Sequence, residues 1–347
     1  MNNPMTLLIM LIGAAVTVNF LAAAQPLLVP LVLAIFLSYL IMAIEESIRI
    51  GFPSPFRHAR WLSMILALVT VMGALWVIGW IVARNLGQVA AAVPAYEDNL
   101  RAVLAETGEL LRLDPVLTPE QLAAWFNEQI DLEQMIGQFA NAIQSVARNA
   151  FLIVLYTGFI MLERGAFTKK LLLLATTDDH KDRISHTIGD ITRRMRQYIA
   201  LKTLICLLVG AGSWVIMIVI GIDFAGFWAV LIFLLNYIPY IGSVIAVAFP
   251  VALTLVQFGS MSLFIVSLIS LVAVQVTVGN IIEPRLMGNS LNLSPLVILI
   301  AMVSWGSIWG IVGAFLAVPL TVIMLIIFAQ FSSTRPLAVL LSRDGKV

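Results

Sequence analysis

The stretch that decides the fold is FWAVLIFLLNYIPYIGSVIAVAFPVALTLVQFG, residues 227–259. Both ends are apolar enough for a membrane interior, yet the middle carries Asn236, Tyr237, Pro239, Tyr240 and Gly242, residues that break or decorate a helix. Pro239 has no amide hydrogen, so a carbonyl one turn earlier loses its partner where no water can replace it. Two readings are open: a discontinuous helix that lines a substrate cavity, as in secondary transporters, or a kink used for packing.

The rest of the chain supplies the setting. Of 347 residues, 61% are hydrophobic and 11% charged, with a mean hydropathy of +1.01. A soluble domain carries charge on about a quarter of its residues. This composition therefore predicts an all-α polytopic integral membrane protein. Crossing about 30 Å of hydrocarbon takes roughly 20 apolar residues. That ruler finds spans at 5–21, 27–44, 61–83, 150–162, 199–220, 227–256, 262–282 and 295–331, eight in all. No Lys or Arg precedes the first, so it reads as a retained span and not a cleaved signal. The single cysteine, Cys206, lies in an apolar run, excludes an intrachain disulfide and reads as an inert buried thiol.

Charge divides the chain further. Residues 1–83 hold spans one to three, and 84–148 form an acidic helical insertion. Within the insertion, Val89, Val93, Tyr96 and Leu100 make one apolar stripe, while Thr118, Pro119 and Gln121 begin a second helix. Span four occupies 149–162. The basic segment 163–198 repeats Ile184, Ile188, Ile191, Met195 and Tyr198 at three and four residues, so it is expected to lie along the membrane before turning into span five. Spans five to eight fill 199–332, and 333–347 form a tail. Placing the basic loops and tail in the cytoplasm puts the acidic insertion outside and both termini inside, as an even number of spans requires.

The sequence contains no G-x-x-x-x-G-K-[ST], H-E-x-x-H or G-x-S-x-G motif. Its three histidines fall in polar loops, so no enzyme, metal site or cofactor is expected. The basic residues lie where membrane topology accounts for them, and no nucleic-acid partner is expected. Polar groups at membrane depth are more informative. In span seven Gln275, Gly279 and Glu283 recur every four residues, with Asn280 beside them, and Glu283-Pro284-Arg285 ends the helix. Glu283 and Arg285 are close enough to pair or act on a ligand, or they mark the water interface and snorkel. Pro250, Gly306, Gly310 and Pro319 are candidate helix breaks in spans six and eight, and Gly306 with Gly310 can equally seat another helix.

The blocks Asn236–Gly242 (NYIPYIG), Gly279–Gly288 (GNIIEPRLMG) and Leu316–Leu320 (LAVPL) resemble the signatures of the AI-2E family of bacterial membrane proteins, also called the autoinducer-2 exporter or PerM-type permease family. The resemblance covers essentially the whole chain, with Ser243 standing where many relatives carry another proline. It implies eight spans in the cytoplasmic (inner) membrane, export of a small molecule such as autoinducer-2, and a homo-oligomer. Some members resemble sodium/proton antiporters instead. The expected translocation site combines Asn236, Tyr237, Pro239, Tyr240, Gly242, Gln275, Gly279 and Asn280, with Glu283 and Arg285 as a gate or proton-coupling pair. Sodium or lithium/proton exchange and a non-transporting membrane scaffold are the alternatives.

Overall fold

A computed structural model describes residues 4–51, 60–110, 141, 144–175, 177–287 and 292–345. It is all-α. The helices are α1 (Pro4–Ala23), α2 (Gln25–Gly51), α3 (Arg60–Leu110), α4 (Ala150–Leu173), α5 (Asp178–Ile220), α6 (Ala225–Leu235), α7 (Ile241–Phe258), α8 (Met261–Val276), α9 (Glu283–Met287), α10 (Pro295–Gln330) and α11 (Arg335–Leu341). Among the described residues, seven helices are long and apolar enough to cross a membrane. In addition, α1 contributes 20 residues without a charge. The protein is thus a polytopic integral membrane protein.

Several helices run past the limits that hydropathy sets. The third span continues into the first part of the insertion as one helix, α3, of 51 residues. Likewise α4 extends beyond Leu162 to Leu173. The basic segment does not turn into span five: α5 is a single 43-residue helix, about 65 Å long at 1.5 Å per residue. Thr177 starts it, its hydroxyl accepting from the His180 amide at 3.3 Å. The expected second helix of the insertion, beginning at Thr118, lies outside the described residues.

Two compact units emerge, one from the described residues within Met1–Ala67, Ala142–Ala200 and Asn289–Val347, the other from those within Leu68–Asn141 and Leu201–Gly288.

In the second unit, span six is a helical hairpin of α6 and α7. Trp228 of α6 stacks on Phe249 of α7 with ring centroids 5.8 Å apart. The Gln257 side chain, at the far end of α7, donates to the Gly221 carbonyl and accepts from the Asp223 amide, both at 2.9 Å. These pairs are symmetric about residue 239, so α6 and α7 run antiparallel and meet at the 236–240 tip. The tip closes because Gly242 has no side chain: a Cβ there would collide with the Leu235 carbonyl. Tyr240 absorbs the reversal at φ 58°, ψ −63°. The helix α7 runs through Pro250 without breaking.

The first unit holds a second hairpin inside α10. In a straight helix, residues eight apart are separated by about 12 Å. A Cβ on Gly313 would instead strike the Trp305 carbonyl, and one on Gly306 would sit 3.7 Å from the Ala314 methyl. The reversal occurs at Gly310, with φ 63° and ψ −147°, a conformation essentially confined to glycine. Gly306 and Pro319 lie within the two arms and break neither. Near the tip, the Trp309 indole donates to the Leu21 carbonyl at 3.0 Å. At the base, the Ser294 amide donates to the Leu341 carbonyl and the Arg343 amide to the Asn292 carbonyl, each at 3.1 Å.

Candidate functional site

Several polar side chains meet around the hairpin tip of the second unit. Asn236, at the end of α6, is 5% exposed. Its Oδ1 accepts from Gln275 Nε2 of α8 at 2.8 Å, and its Nδ2 approaches the Cys206 sulfur of α5 at 3.9 Å. Next to it, the Tyr237 hydroxyl donates to Thr203 Oγ1 at 2.6 Å. One turn along α5 from Cys206, Lys202 Nζ donates to Glu283 Oε1 at 2.9 Å. Thus α5 presents Lys202, Thr203 and Cys206 to the tip and to the end of α8.

Backbone packing makes this layer possible. Gly210 of α5 faces Ala229 and Phe233 of α6, and Gly212 faces Val274 of α8; an added Cβ would stand 3.1–3.2 Å from these neighbours. Small residues thereby bring three helices close enough for short polar side chains to meet. Gln275 keeps one unused capability: its Oε1 is buried and has no hydrogen-bond partner among the described residues.

Glu283 pairs with Lys202, whereas the expected partner Arg285 is exposed. The reason is local. Residues Thr277–Ile282 form a π-helical turn between α8 and α9. A π turn holds an extra residue, so Glu283 no longer shares the α-helical stripe of Gln275 and Gly279. Instead it is turned toward α5. Gly279 and Asn280 lie in that turn, and Asn280 is exposed, as is Tyr240 at the hairpin tip. Pro239 remains at the tip, its carbonyl accepting from the Ile241 amide at 2.7 Å. Of the expected site residues, the structure brings together Asn236, Tyr237, Gln275 and Glu283. Gly242 and Pro239 shape the tip, and Pro250 is buried in α7.

Lys202, Thr203 and Cys206 are additional members of this layer. A charged residue in the apolar run 199–220 needs a partner at membrane depth, which makes Lys202 conspicuous without naming that partner. Thr203 has no comparable signal, since a hydroxyl satisfied by its own helix is common in such spans.

The sequence pattern of the AI-2E family transporter matches residues 5–333. The chain belongs to this family. The AI-2 transport protein TqsA of Escherichia coli K12 is 29% identical over 350 residues, covering 99% of this chain and 97% of TqsA. YhhT of the same strain is 29% identical over 344 residues, 97% of this chain and 94% of YhhT. YrrI of Bacillus subtilis 168 is 27% identical over 328 residues, 91% and 90% of the two chains. The matched residues include both hairpins and the π turn of this chain.

Proposed function

We propose that this protein is a secondary transporter of the bacterial inner membrane that exports a small polar solute, with an autoinducer-2-like signal as the favoured cargo. The observation that carries the reading is the Asn236–Gln275 amide pair at the hairpin tip, which leaves Gln275 Oε1 as a buried, unused acceptor. A hydroxylated solute supplies both donors and acceptors and so suits two neighbouring amides. TqsA, a relative along nearly its whole length, is named for AI-2 transport, which supports the cargo.

Sidedness follows from charge and from the hairpins. Each hairpin returns to its own face and counts as no crossing, so α1, α2, α3, α4, α5 and α8 make six. Six is even, and both termini remain cytoplasmic. Arg49, Lys169, Lys170, Arg285 and Arg335 then lie on the cytoplasmic side, whereas Asp223 lies outside. The decisive experiment is uptake of autoinducer-2 into inverted vesicles, where export from the cytoplasmic face fills the lumen, at matched expression. Asn236→Ala and Gln275→Ala should each slow it by about tenfold or more, as expected for removing one partner of a buried hydrogen bond. Unchanged uptake in both would place the site elsewhere.

A second reading, sodium or lithium/proton exchange, draws support from the half-buried Glu283 carboxylate and its pairing with Lys202. A fluorescent proton indicator in proteoliposomes should respond to sodium or lithium if it holds. No response removes it.

A further inference from the structure

The side chains around Glu283 become more buried inward. The Glu283 side chain is 27% exposed and that of Lys202 only 7%. Next to them Asn236 is 5% exposed and Cys206 fully buried. The ion pair therefore stands at the edge of a buried polar layer. As a mere strut the pair is a poor choice, because desolvating two charges offsets most of their attraction and apolar packing often holds a fold better. At the edge of a buried layer it has a different merit: the partners can separate when the partly exposed carboxylate is hydrated. The π turn directly before Glu283 marks the same place, since single π turns inside α-helices are frequent at functional sites.

We propose that Lys202 is a gating residue: with Glu283 it forms a latch that seals the Asn236–Gln275–Cys206 layer from water and parts when solute passes. The inference rests on the transport reading of this layer, and its test needs no transported solute. Cys206 is the only cysteine in the chain and lies one helical turn behind the latch. It is a native reporter of opening.

The test is the rate at which Cys206 of the purified full-length protein reacts with charged methanethiosulfonates, which do not enter hydrocarbon. A cationic and an anionic reagent are both used, so that attraction to either latch residue can be recognised. The Lys202→Gln/Glu283→Gln double variant removes both charges without stranding one. It should label about tenfold faster than wild type with both reagents, because losing a charge-assisted contact raises the open population by at least that factor. Lys202→Arg, which keeps the pair, should label at the wild-type rate. A double variant with wild-type thermal stability and a wild-type labelling rate would overturn the latch. Should the double variant not fold, Glu283→Asp provides the same test, since it keeps both charges but withdraws the carboxylate by one methylene. Faster labelling supports the latch, and an unchanged rate overturns it. A protein that exports no autoinducer-2 but shows these rates would refute the cargo and leave the latch standing.

Discussion

A methyl group on Gly242 would occupy the space of the Leu235 carbonyl oxygen, a backbone atom that cannot turn aside. Gly242→Ala should therefore cost at least about 3 kcal/mol, the upper end for overpacking, and lower the melting temperature of the purified protein. Close by, Lys202, Asn236 and Glu283 show what single residues disclose. Asn236 is conspicuous because an amide in the middle of an apolar run is expensive. Glu283 is conspicuous for the same reason, but its partner is not. Arg285 is two residues away along the chain and Lys202 is remote in sequence, so spacing favours the wrong cation. Only the packing of α5 against α8 brings Lys202 Nζ within 2.9 Å.

The same limit applies to whole elements. Thirty apolar residues with a break read alike whether the second half continues across the membrane or returns, because hydropathy records depth and not direction. Hence the composition establishes the membrane class, and the polar break at 236–242 marks the right place, while the reversal itself depends on contacts such as Trp228 with Phe249. Helix breakers are ambiguous for a related reason. Pro250 and Pro319 cost one hydrogen bond each and leave their helices intact, whereas Gly310 reverses its chain through a backbone conformation that other residues resist. Gly310→Ala should accordingly destabilise the protein by about 1–3 kcal/mol. Gly306→Ala is the control: the added methyl would meet Ala314 at an ordinary 3.7 Å, and its melting temperature should stay near that of wild type. Thermal melts of the two variants side by side check both. The π turn is hidden from the sequence as well, since TVGNII carries no residue that demands the wider turn.

For the whole molecule, hairpins that return to their own face would change which loops face which compartment. A straight sixth span puts Ser260 in the cytoplasm and Arg285 outside; the hairpin arrangement exchanges them. Cysteine placed at each position, with the buried Cys206 as background, distinguishes the two. Ser260→Cys should react with a membrane-impermeant maleimide added to intact cells, and Arg285→Cys only after the inner face is opened. The opposite pattern would restore eight crossings. The base of the second hairpin also bears on how the protein is made. Asn292–Ser294 joins Leu341–Arg343, so that contact forms only after both arms and α11 have left the ribosome. Until then the nascent arms lack the tie that holds their ends together. The tie on the second arm is thus made late in biosynthesis, once α11 has emerged.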